Sequence, residues 1–135
     1  MSLQKWIRTK QLNNPLVIKE LKSRYGIMLS TDLENCIQFN NGAKPRPNII
    51  MLKNGEENDV KALLSYNDGD PENIFNVIEF FAKKYQGALV PFASDSAGNY
   101  YCEQGNRIVL WTQNNEILPV CNSFAQFLDS LYELK

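Results

Sequence analysis

Ser96, within the stretch "VPFASDSAGNYYCEQ", sits in a tight serine turn of the kind that presents a hydrolytic nucleophile. A serine hydroxyl attacks only when a neighbouring base takes its proton, and that base is usually histidine. The 135-residue chain has no histidine. The nearest lysines, Lys83 and Lys84, show no sequence sign of the burial that would make either a base. Asp95 to Asn99 are therefore expected to form a turn between two strands, since Asp, Ser, Gly and Asn favour turns and both flanks are strand-like.

The remaining reactive residue types fare no better. Cys36 falls on the apolar face of an expected helix and Cys102 within an expected strand, which makes core packing the expectation for both. An odd count of three cysteines at long spacings fits reduced thiols rather than a disulfide framework. Zinc lacks its histidines and paired Cys-x-x-Cys ligands. "DGDPENIFNVIE" spaces Asp68, Asp70, Glu72 and Glu79 like an EF-hand loop, but Asn73 stands where the sharp turn needs glycine and Pro71 reads as a helix start. Glu56 and Glu57 are adjacent in "NGEEND", an expected exposed turn, where two carboxylates rarely face one substrate. The glycines stand singly, so no phosphate-binding loop is present. "KWIRTK" interleaves Trp6 with basic residues, yet the sequence pI is near 5.5, and Trp6 is expected to pack on the domain. No enzymatic activity, cofactor, metal or direct nucleic-acid contact is expected.

The elements that carry these residues can be placed from periodicity and caps. "NNPLVIKELKSRYG" predicts a helix from Pro15 to a stop at Gly26, with Val17, Ile18, Leu21 and Tyr25 on one face. "STDLENCIQFNNG" predicts a second, capped by a Thr31–Glu34 box. "PRPNIIMLKNG" reads as a strand ending in a turn, and "DVKALLSYN" as a strand pairing with it. "DGDPENIFNVIEFFAKKYQG" predicts a helix with Asp70 as cap and Pro71 at its first position. From Ala88, short strand-like runs separated by "ASDSAG", "QGN" and "QNN" predict an antiparallel meander, closed by a helix over "NSFAQFLDSLYELK" with a Ser123–Gln126 box. The expected fold is α+β, one domain over residues 1–135, with helices on one face of the sheet. Val109 and Trp111 should share one strand face, and Ile108 and Leu110 the other. Trp111 is then either an exposed interface anchor or a core residue.

Charge is unevenly spread along the chain. Residues 1 to 24 hold six Lys or Arg against Glu20 alone, while residues 53 to 79 hold seven acids against Lys53 and Lys61. A polarised surface follows. The N-terminus lacks the apolar run of a signal peptide and no later segment could span a bilayer, so a cytoplasmic protein without membrane association is expected.

The order of these pieces resembles the SUKH superfamily, which includes fungal cell-wall synthesis regulators and bacterial toxin-immunity proteins. The resemblance rests on "YGIMLSTDLENCIQFNNG", "VPFASDSAGNYYCE", "RIVLWTQNN" and "SFAQFLDSL", with Pro91, Phe92, Asp95, Gly98, Tyr100 and Trp111 as family-pattern residues. Ser30 stands where that family usually has proline, and Asn99 where an acid is common. The resemblance implies a non-enzymatic protein-binding domain, either an immunity protein that neutralises a cognate polymorphic toxin, such as a basic nuclease, or a regulatory or scaffold module of the cell-wall regulator type. It gives the acidic segment a purpose, since a basic groove attracts an acidic surface. Glu56, Glu57, Asp59, Asp68, Glu72, Asp95 and Trp111 are the candidate partner-binding residues.

Overall fold

The computed structural model describes residues 2–134. In chain order it contains β1 (Lys5–Ile7), α1 (Val17–Tyr25), α2 (Thr31–Asn40), β2 (Lys44–Arg46), β3 (Ile49–Met51), β4 (Glu57–Asp59) and β5 (Ala62–Leu63). A single 3-10 turn, Ile74–Asn76, leads into α3 (Ile78–Tyr85), followed by β6 (Val90–Ser94), β7 (Tyr100–Gln104), β8 (Arg107–Trp111), β9 (Ile117–Cys121) and α4 (Phe124–Asp129). The fold is α+β. Its main sheet has the order β5-β6-β7-β8-β9, antiparallel throughout, and β1–β2 and β3–β4 are separate antiparallel ribbons.

The meander arises as the sequence predicts. Gly98 takes φ of +86° in the β6–β7 turn and Asn115 takes +63° at the equivalent place between β8 and β9. Those are left-handed conformations, which glycine and asparagine adopt most readily. Between β7 and β8 the two-residue connection Gly105–Asn106 joins the Gln104–Arg107 pair. In β9, Pro119 lies opposite Val109, and a proline has no N–H to offer either neighbour.

Period-two alternation gives the sheet two different faces. Tyr101, Ile108 and Leu110 turn toward α1, α2 and α4 and join the main core with Leu21, Leu33, Ile37, Phe92 and Phe127. Cys102, Val109 and Trp111 turn the other way and pack with Phe81 of α3 and with Leu89. α3 therefore reaches both faces, its Ile78 joining the main core beside α1 and its Phe81 the second cluster, and the second face stays open where Ile117 and Pro119 of β9 are exposed. The expected sharing of faces by Val109 with Trp111, and by Ile108 with Leu110, is what the structure has.

Three local expectations need correction. The cap of α2 is Ser30, whose hydroxyl accepts from Leu33 N–H, rather than Thr31. Asp70 does not cap α3: Asn73 caps the 3-10 turn ahead of it, and Asp70 accepts from Ser65 and Asn67 within its own loop. "DVKALLSYN" supplies β5, which pairs with β6, while the partner of β3 is β4, formed by the "END" stretch before it. The strand pairing was decided by partners farther along the chain, whereas the two caps turn on a choice between neighbouring residues that each could cap.

Candidate partner-binding surface

Asp95 organises the β6–β7 turn from inside. At 3% exposure, its carboxylate accepts from the backbone N–H of Ala97 (2.9 Å) and Asn99 (2.8 Å), and from the side-chain amides of Asn58 and Asn99, both at 3.0 Å. Asn58 also donates to the Tyr101 hydroxyl at 2.7 Å, which itself donates to the Asp59 carbonyl at 3.0 Å. The carboxylate of Asp59 takes the N–H of Ser96 at 3.0 Å and its hydroxyl as well. These bonds latch the β3–β4 ribbon onto the turn. They also explain Asn99: it donates to Asp95 and accepts from Gln113 N–H at 3.2 Å, and an acid there would set two carboxylates against each other.

The same network gives Ser96 a structural role. Its hydroxyl donates to the Asp59 carboxylate as part of the latch, and the chain has no imidazole of the kind that takes the proton in a serine triad. The thiols are unsuited to attack. Burial pushes Cys36 up to about 12 and raises Cys102 and Cys121 as well, so all three stay protonated near neutrality. Among the described residues, no group of three His, Cys, Asp or Glu is placed to hold a metal.

Trp111 is 9% exposed and lies in an aromatic cluster. Its ring centroid is 5.1 Å from Phe81, 5.8 Å from Phe80 and 6.0 Å from Tyr100, and its indole N–H donates to the Tyr85 hydroxyl at 3.1 Å. Of the two sequence alternatives, the structure has the core residue. Asp95 is likewise inside, so neither side chain offers a contact surface.

The other candidates are outside or at the rim. Glu56 and Glu57 are exposed at and beside the tip of the β3–β4 ribbon, where Glu56 accepts from the Asn54 amide at 2.8 Å and Glu57 from the Tyr132 hydroxyl. Half-buried Asp59 ends that strand. Glu72, on the loop before α3, pairs with Lys61 at 3.0 Å. Asp68 is exposed on the same loop and lines a cavity of about 290 Å³ against α1 with Asn13, Val17, Arg24, Tyr66 and Phe75. The fold thus sorts the acids into a ribbon group and a loop group.

Sequence reasoning missed Glu103, which is 1% exposed on β7. It accepts from the N–H (2.8 Å) and hydroxyl (2.6 Å) of Ser30, doing across the fold what a capping-box acid does within one helix. Burial lifts its pKa above the ordinary carboxylate range, partly offset by the two Ser30 donors. Period two was the available signal, since Glu103 shares a strand face with buried Tyr101.

Residues 14–130 match the family model of the SMI1 / KNR4 family (SUKH-1). The chain belongs to this family. Among curated proteins and among solved structures, no significant match is found. SUKH domains cover toxin-immunity proteins and cell-wall regulators, and they work by interacting with partner proteins. The SUKH-1 match spans every element from α1 to α4, including the Asp95 latch, the Glu103–Ser30 tie and Trp111, and begins after β1.

Proposed function

We propose that this chain is a non-enzymatic protein-binding domain, an immunity protein that binds and neutralises a cognate bacterial toxin domain in the cytoplasm. Membership of the SMI1 / KNR4 family over residues 14–130 carries the reading. It is supported by the protonated thiols and by a turn serine committed to Asp59. Exposed Glu56, Glu57, Asp68 and Glu72, with Asp59 at the rim, form the contact surface, and a toxin with a basic substrate groove, such as a nuclease, is the partner they fit. Asp95 braces the ribbon that carries Glu56 and Glu57 through its bond to Asn58.

The test is co-expression with the C-terminal domain of a secreted toxin encoded beside this gene, reading cell survival and complex formation. Protection by the wild type, kept by Ser96→Ala and Cys36→Ala proteins of native circular dichroism, is the expected result. Survival without a complex, or loss of protection in a folded Ser96→Ala protein that also lacks a hydrolytic activity of the wild type, overturns it. A complex that leaves the toxin active would point to a regulatory or scaffold role instead.

A further inference from the structure

The acidic groups have a counterpart that the linear sequence does not display. β1 and β2 pair in antiparallel register, Lys5 opposite Arg46, Trp6 opposite Pro45 and Ile7 opposite Lys44. Side chains alternate between the two sides of such a ribbon. Pro45 is buried and Trp6 packs against the core, so Lys5, Ile7, Lys44 and Arg46 share the outward side. Arg8 and Lys10, both exposed, continue from the end of β1. Residues 2–19 and 35–55 contain no Asp or Glu, and among the described residues none of these five cations forms a salt bridge. Glu72 reaches the cavity that Lys10 and Lys44 line, but it is paired with Lys61.

Like charges directly opposite across a ribbon destabilise it, and the fold nevertheless sets Lys5 against Arg46 without a counterion. We propose that the outward side of the β1–β2 ribbon is a second docking surface, and that its occupant is an acidic segment of a partner protein. The three cations surround Ile7, so the segment carries carboxylates around one apolar side chain. Nucleic acid fits less well. Binding a single strand calls for aromatic faces on which bases stack, and the ribbon's one aromatic residue, Trp6, is turned inward. A long polyanion would also meet the rest of a chain whose net charge is -1, whereas a short acidic segment touches the ribbon alone. β1 precedes the residues matched by the SUKH-1 model while β2 lies within them, so the ribbon joins a strand outside the matched region to one inside it.

The probe is a fluorescein-labelled peptide with carboxylates flanking one leucine, Glu-Glu-Glu-Leu-Glu-Glu-Glu, titrated with the full chain at low and at physiological salt. The comparison probes are an oligothymidylate of equal charge and vesicles of one-third phosphatidylserine in phosphatidylcholine. The expected result is saturable peptide binding that weakens at least tenfold in a Lys5→Glu, Lys44→Glu variant and is unchanged in a Lys19→Glu, Lys53→Glu control. Lys5→Glu alone places an acid opposite Arg46, so it should raise the melting temperature while weakening the peptide, a pairing that loss of folding cannot produce. Absence of peptide binding, equal loss in the control, or tighter binding of the oligonucleotide or vesicles overturns the proposal. None of these outcomes bears on protection from a toxin, which the co-expression test reads separately.

Discussion

Glu103 of β7 holds Ser30, the residue that starts α2, through both its N–H and its hydroxyl, so a helix is anchored to the sheet by one buried carboxylate. Replacing Glu103 by Ala leaves the Ser30 N–H buried without an acceptor and should cost about 1–3 kcal/mol in urea unfolding. Ser30→Ala removes the hydroxyl but keeps the N–H bond, and should cost less.

The tie also has a pH signature. Because burial raises the pKa of Glu103 in the folded protein, the unfolded chain releases this proton first as pH rises, and the native state binds more protons in the window between the two values. Glu103 therefore subtracts stability as pH climbs from the ordinary Glu value of about 4.3 through its raised folded value. In Glu103→Gln this term is absent. Plotted against pH, the stability of the Gln variant relative to wild type should rise across that window and then level off, and a flat or falling difference would contradict the assignment.

Asp95→Ala removes the acceptor of four hydrogen bonds at once. A loss of about 2–4 kcal/mol is expected, with faster amide exchange at Ala97 and Asn99 as the local readout. Asp95→Asn should recover only part of it, since one of its two acceptor positions becomes a donor facing the amides of Asn58 and Asn99.

Trp111→Ala opens a void against Phe81 and Tyr100 and should destabilise by about 3–5 kcal/mol. Trp111→Phe keeps most of the ring packing and loses the bond to Tyr85, for a cost of about 1 kcal/mol. Unchanged stability in Trp111→Ala would mean that the side chain is outside after all.

Charge reversal tests the acidic surface. Glu56→Lys, Asp68→Lys and Glu72→Lys together should slow association with a basic partner and flatten its salt dependence, because such charges steer encounters over about a Debye length, roughly 8 Å at physiological salt. Asp59 is left out because it holds Ser96. Stability should change little, exposed charges contributing about 0–1 kcal/mol each.

Local chemistry made much of this architecture readable. Gly98 in its turn, the stop of α1 at Gly26 and the Ser123 cap of α4 each depend on residues within a few positions, and a single sequence contains that information. What it did not display is pairing at a distance: Glu103 reaching Ser30, Asn58 reaching Asp95, and Lys5 facing Arg46. The two-faced burial of the sheet was half visible, since alternation separated Val109 and Trp111 from Ile108 and Leu110, but nothing local said that α3 would cover the former pair. Of the candidate contact residues, those in polar turns could be placed outside by composition, whereas Asp95 needed the structure, because a buried acid looks like an exposed one until its four donors are in view.

Pro119 has a consequence for growth of the sheet. β9 is the long strand at the sheet's edge, and a further strand laid along it by another copy would need an unbroken row of backbone donors. At Pro119, paired inward with Val109, the ring fills the place of an outward N–H, so the row is interrupted at the strand's midpoint. At the opposite edge β5 is two residues long, and its Leu63 N–H is already bonded to the Ala43 carbonyl at 2.9 Å. Neither edge of the main sheet therefore offers another copy an unbroken row of backbone donors to extend.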